Sequence, residues 1–124
     1  MRKYLDANII ENTKDMPKDE WLMKRKCGIG GSDASSILGL NPYRSSMAVY
    51  IDKIDDENDV RNLEKHTSYK MELGNKLKSF VASEFMLKTG KKVRNINGML
   101  RNDKYPFAIA NIDRAVVGEK AFLE

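Results

Sequence analysis

The pattern of hydrophobic and polar positions over Lys104 to Glu124, KYPFAIANIDRAVVGEKAFLE, reads as two strands and a tight turn. Phe107, Ile109, Asn111 and Asp113 share one parity and Ala108, Ala110, Ile112 and Arg114 the other, a period of two that predicts a strand with two distinct faces. Val117-Gly118-Glu119-Lys120 reads as a hairpin turn, with Gly118 at the first central position of a two-residue type II′ loop, where φ must be positive. That register sets Val116 against Ala121, Ala115 against Phe122, Arg114 against Leu123 and Asp113 against Glu124. Upstream, Leu73, Leu77, Phe80, Val81 and Phe85 recur at three and four. The spacing predicts a helix over Ser68 to Lys88, stopped by Thr89-Gly90, with its apolar stripe in the core and packed on the sheet that begins at Val93. The intervening KKVRNINGMLR, from Lys91 to Arg101, reads as strand with a turn at Asn97-Gly98.

The first half of the chain is less regular. A short element around Tyr4 to Ile10 fits a strand or a helix equally. Pro17, followed by Asp19, Glu20, Trp21, Leu22 and Arg25, predicts a helix start, and Trp21 reads as a core anchor. Gly28-Ile29-Gly30-Gly31-Ser32-Asp33 forms a glycine-rich loop that enters a short helix, capped by Ser32 and ended by Gly39 in the left-handed conformation. Asn41-Pro42-Tyr43 is a turn, after which Ser45 or Ser46 caps a helix through Met47, Tyr50, Ile51 and Ile54. Asp55 to Thr67, DDENDVRNLEKHT, has little to bury and is expected to be a mobile loop, with His66 as a solvated residue within it.

Composition narrows the class. The chain has 124 residues, 41% hydrophobic and 32% charged, a balance that excludes wholesale disorder and allows one core. No apolar run approaches the roughly 18 residues of a membrane span, and the N-terminal segment carries no signal-peptide core, so a cytoplasmic location without membrane contact is expected. Cys27 stands alone, which excludes a disulfide framework and a cysteine-based zinc site. A net charge of +4 and a pI of about 9.1 are compatible with nucleic acid but fall short of a polybasic arm.

Against that background two places carry candidate chemistry. Cross-strand neighbours have Cβ atoms about 4.5 to 5.5 Å apart, so Asp113 and Glu124 repel unless a cation lies between them. Hard oxygen donors of this kind suit Mg²⁺, usually held through one or two carboxylates and a substrate phosphate; the alternative is a solvated hairpin in which the two acids decorate a surface. The second place is the junction of the glycine loop with its helix, where backbone N–H groups of Gly30 and Gly31 and the Ser32 hydroxyl are suited to an anion. There the alternative is a cap and a turn with no ligand. Lys91, Lys92, Arg94 and Arg101 are either nonspecific phosphate contacts or solubilising charges, and Asp103 is either an extra acid near the site or a turn residue.

The segment ANIDRAVVGEKAFLE resembles the active-site hairpin of the YqaJ-like viral recombinases, phage nucleases related to lambda exonuclease in the PD-(D/E)XK superfamily. In that pattern an Asp ends one strand and Glu-x-Lys follows on the next; Asp113 matches the Asp and Glu124 the Glu, while the sequence stops before the Lys. Trp21-x3-Arg25 with Ser32 is similar to the family segment that holds the 5′-phosphate of a DNA end. The resemblance, which extends from about Trp21 to Glu124, implies an α/β fold with a restriction-endonuclease-like core: a small mixed sheet flanked by helices, in a single and incomplete domain. It implies a Mg²⁺- or Mn²⁺-dependent exonuclease acting on double-stranded DNA ends in recombination, with Asp113 and Glu124 as catalytic metal ligands. Arg25, Ser32, Gly30 and Gly31 would then hold the 5′-phosphate, beside a phage single-strand annealing protein as partner. Where the family has a Glu four residues after the helix Gly, this chain has Lys78, with Glu84 further along as a candidate substitute. Loss of the motif Lys and the change at Lys78 leave open an inactive form, a non-catalytic DNA-end or protein-binding module, or a structural remnant. The last strand, as an open edge, invites homo-oligomerisation.

Overall fold

The computed structural model describes residues 2–54 and 69–124; the expected loop over Asp55 to Thr67, with His66, lies outside the described residues. In chain order the elements are β1 (Lys3–Tyr4), β2 (Ala7–Asn12), α1 (Lys18–Lys24), a 3₁₀ turn (Arg25–Cys27), α2 (Gly31–Ile37), α3 (Ser46–Ile54), α4 (Tyr69–Thr89), β3 (Val93–Asn95), β4 (Gly98–Asn102), β5 (Tyr105–Asn111), β6 (Arg114–Val116) and β7 (Phe122–Leu123). The fold is therefore α/β, with small antiparallel sheets and four α-helices among the described residues, consistent with a nuclease-like core. Two compact units divide the chain: Met1–Arg61 with Gly98–Asn111, and Asn62–Asn97 with Ile112–Glu124.

The first unit is built on a four-stranded sheet in the order β1-β2-β4-β5. Tyr4 to Ile10 resolves as strand: Tyr4 pairs with Ala7 across a tight turn in which Leu5 takes φ +53°, and Ile9 pairs with Leu100. Close approach explains Gly98, because a Cβ there would stand 2.6 Å from Ile9 Cγ2. Met99, Leu100, Ile109 and Val49 are its buried apolar residues. Pro17 occupies the N-cap of α1, with Asp19 and Glu20 in the first turn as expected for the positive helix end, and Lys24 in the last turn reaches Glu11 on β2 at 3.0 Å. Ser45 caps α3, its Oγ accepting from Ala48 N.

The glycine loop is fastened to the open edge of β5. Ile29 N donates to Phe107 O at 2.8 Å and Ile109 N to Ile29 O at 3.0 Å, a parallel bridge centred on Ala108. Gly28 makes that approach feasible, since a Cβ would lie 2.7 Å from Ile109 Cγ2 and 2.9 Å from Phe107 O.

The second unit holds α4 and a three-stranded antiparallel sheet in the order β3-β6-β7. The register is the expected one: Arg114 faces Leu123 and Ala115 faces Phe122, with Val116 N donating to Ala121 O at 2.9 Å. Two details differ from expectation. The loop spans four residues, Val117 to Lys120, and Gly118, with φ +83°, takes the third position of a Val116–Glu119 turn, the left-handed position of type II. The register survives because the longer loop adds one residue to each side.

The second difference is larger. The continuous strand expected through Asp113 is broken at Ile112–Asp113, so β5 pairs with β4 in one sheet and β6 with β3 and β7 in the other. The matching break upstream falls at Ile96–Asn97, where Asn97 has φ +51°, in agreement with the expected turn at Asn97-Gly98. Helix α4 ends as expected, with Gly90 at φ +70°. Its stripe is not a core, however: Leu73, Leu77, Phe80 and Val81 are 40 to 61% exposed, and Ala82 is the buried position of the helix. At roughly 1.5 Å per residue this helix is about 30 Å long, whereas strands of two or three residues span only about 10 Å and cannot cover it.

Candidate carboxylate and phosphate-binding sites

Asp113 occupies the bend immediately before β6, and Glu124 follows β7 directly. Each adjoins one member of the Arg114–Leu123 pair, the last step of the β6–β7 ladder. Both line a single cavity of about 370 Å³, together with Arg114 and Leu123 from the hairpin and Gly74, Leu77, Lys78 and Val81 from α4. The expected catalytic pair is thus brought together, and the exposed stripe of α4 supplies the apolar wall. Lys78 reaches into the same place: its Nζ donates to Asp113 Oδ1 at 2.8 Å. Arg114 turns instead to Asn95, donating from Nη1 to its side-chain oxygen.

Glu84 is not among the cavity residues, and neither is Asp103, which lies in the β4–β5 turn and accepts from Asn8 Nδ2 at 2.7 Å. The basic residues that read as phosphate contacts or as solubilising charges are divided between the two sheets. Lys91 pairs with Glu119 at 2.9 Å beside the smaller sheet and Arg94 lies on β3, whereas Arg101 belongs to β4 of the larger one. Among the described residues no group of three or more His, Cys, Asp or Glu side chains gathers into a metal-binding cluster. Two carboxylates on one cavity nevertheless meet the usual requirement for Mg²⁺, which commonly keeps several waters and borrows substrate oxygens.

The second site is centred on Arg25. Its guanidinium lies 4.8 Å from the centre of the Trp21 ring, and its Nη2 donates to Ser32 Oγ at 3.1 Å. Gly30 is close by, since a Cβ there would come within 3.7 Å of Arg25 Nη2, while Gly31 faces open space. Ser32 is not the N-cap. Gly30 takes that position, and its N–H donates to the Asp33 carboxylate at 3.0 Å, which frees the Ser32 hydroxyl for Arg25. Trp21, expected as a core anchor, is half-buried and serves as the platform for the guanidinium.

Beneath these groups lies a residue that sequence reasoning missed. Asp33 is buried, and besides the Gly30 N–H it binds Arg44 Nη1 at 3.0 Å and Lys53 Nζ at 3.1 Å. Lys53 also donates to the Arg25 carbonyl at 3.1 Å, and Arg44 to Asp52, so one carboxylate joins α2, α3 and the 3₁₀ turn. Burial pushes the Asp33 carboxyl up, but the Gly30 N–H, Lys53 and Arg44 outweigh it and hold the group below the ordinary carboxylate range. The available signal was the pair Ser32-Asp33 at a helix entrance, which reads as capping and gives no hint of the two cations that close over it.

A family model described as the YqaJ-like viral recombinase domain matches residues 20–124. The chain is 42% identical over 118 residues to the Bacillus subtilis protein YqaJ, covering 95% of this chain and 36% of that protein. It is 44% identical over 43 residues to a protein of African swine fever virus, covering 32% of this chain and 12% of that one. The chain therefore spans about a third or less of the length of these relatives. No solved structure matches it.

Proposed function

Because the chain belongs to the YqaJ-like viral recombinase family, a phage-type recombination nuclease family, we propose that it binds double-stranded DNA ends and cleaves phosphodiesters at the Asp113–Glu124 pair. The observation that carries this reading is the placement of both carboxylates on one cavity, beside the β6–β7 hairpin. Asp113 and Glu124 would hold Mg²⁺ or Mn²⁺, which supplies Lewis-acid activation of a scissile phosphate and of water. The apolar side chains of Leu77, Val81 and Leu123 form the wall beside the acids.

Arg25 and Ser32 fit the 5′-phosphate of the end. A guanidinium can grip phosphate oxygens with two parallel hydrogen bonds, and that of Arg25 lies over the face of the Trp21 ring, so that its in-plane N–H groups, one of them already on Ser32 Oγ, suit a ligand of that kind. Gly30 and Gly31 add a backbone surface that an anion can approach. A single-strand annealing protein is the partner such an exonuclease would serve. β7, at the edge of its sheet, gives a route to self-association.

A second reading, a DNA-end or protein-binding module that does not cleave, is favoured by Lys78, whose ammonium already sits on Asp113. Incubation of 5′-phosphorylated duplex DNA with the chain and Mg²⁺, with Asp113→Ala as control, separates the two. Metal-dependent digestion lost in the variant supports the nuclease. Binding that prefers 5′-phosphorylated ends, without digestion in either protein, supports the binding module.

A further inference from the structure

Lys78 lies four residues after Gly74 on α4 and places its Nζ 2.8 Å from Asp113 Oδ1, in the cavity that Glu124 also lines. Two carboxylates on one cavity repel, and the neighbour that offsets the charge of Asp113 here is an ammonium from the chain itself. We propose that Lys78 is the resident counter-cation of the Asp113–Glu124 cavity, so that a divalent ion competes with the ammonium for Asp113. The proposal rests on the metal-binding reading of that pair.

An oxygen that accepts a charged hydrogen bond from Lys78 presents less negative charge to a metal. An ammonium left within a few ångströms of a dication also repels it. The displacement is feasible because the Lys78 side chain is 48% exposed and its four-carbon stem can carry the charge into water. The competition is correspondingly modest. Half-exposed ion pairs are weak, so removal of the ammonium is expected to tighten divalent-ion binding by roughly fivefold rather than by orders of magnitude. Part of that difference disappears at high salt, where the pair is screened.

The test is Mn²⁺ binding by isothermal titration calorimetry on the whole chain without DNA, comparing wild type with Lys78→Met, Lys78→Arg and Asp113→Ala. The proposal expects tighter binding in Lys78→Met by roughly fivefold, wild-type affinity in Lys78→Arg, and loss of binding in Asp113→Ala. Lys78→Gln repeats the key comparison with a polar side chain if the methionine variant does not fold. Equal Mn²⁺ affinity in wild type and in the neutral Lys78 variants, with binding still lost in Asp113→Ala, overturns the counter-cation role and leaves the metal reading standing. Unchanged Mn²⁺ binding in Asp113→Ala overturns both.

Discussion

Asp33 Oδ1 accepts a hydrogen bond from Arg44 Nη1 at 3.0 Å, with the aspartate side chain 3% exposed and the arginine 33%. Removing the buried partner strands the Gly30 N–H and leaves Arg44 with Asp52 and Lys53 with the Arg25 carbonyl. Asp33→Ala is therefore expected to cost about 3 kcal/mol of stability, read as a lowered midpoint in urea unfolding. The same change should weaken preference for a 5′-phosphorylated end, because Lys53 and the Gly30 turn no longer hold Arg25 and Ser32 in place.

Asp33 also sets a dependence on acid. Its carboxyl titrates lower in the folded protein than in the unfolded chain, so the native state binds fewer protons and gains stability while the group is ionised. That contribution is complete above about pH 4, the ordinary carboxylate range, and is lost as pH falls through the native pKa. Chemical denaturation at a series of pH values should show an acid limb in wild type that flattens in Asp33→Asn.

Arg25 and Trp21 are expected to act as a unit. Arg25→Lys keeps a charge but loses the planar fork and the stacking geometry, so the affinity advantage of a 5′-phosphorylated duplex over its 5′-hydroxyl counterpart should fall roughly tenfold. A double-mutant cycle of Trp21→Leu with Arg25→Lys, followed by fluorescence anisotropy, should return a coupling of about 0.5–1 kcal/mol.

Gly28→Ala tests the attachment of the glycine loop to β5. The new methyl would meet Ile109 Cγ2 at 2.7 Å and a backbone oxygen, Phe107 O, at 2.9 Å. Overpacking against backbone costs about 1–3 kcal/mol; Gly31→Ala, facing open space, is the matched control and should be close to neutral in thermal unfolding.

Gly118→Ala probes the turn that joins β6 to β7. With φ +83° the position disfavours any residue with a Cβ, by about 1–2 kcal/mol. Amide exchange at Val116, whose N–H donates to Ala121 O across the hairpin, should accelerate as the hairpin loosens.

Sequence carried the hairpin register well, because a loop and its flanking strands obey one sum: Arg114 meets Leu123 whether two or four residues turn the corner. It also carried the start of α1 and the end of α4, where Pro17, Asp19, Glu20 and Gly90 act through local chemistry. What it could not carry depends on partners distant in sequence. Period two continues unbroken from Phe107 to Arg114, yet the neighbours change from β4 to β3 and β7 at Asp113, and alternation has no means of recording which strand lies alongside. The α4 stripe marks an apolar face without saying whether anything covers it. Lys78 was legible as a reversed charge near the acids; that its stem turns toward Asp113 rather than outward required the fold.

The parallel bridge at Ile29 has a temporal meaning. Its partners, Phe107 and Ile109, belong to a strand synthesised long after the glycine loop has left the ribosome, and the adjoining β2 finds β4 across a similar gap, with Asn8 and Asp103 standing 95 positions apart. Closing so long a stretch is slow compared with forming a helix. Until the far strand emerges the glycine loop lacks its β5 partner, and the cradle around Arg25 relies on the neighbouring contacts of Asp33 with Arg44 and Lys53.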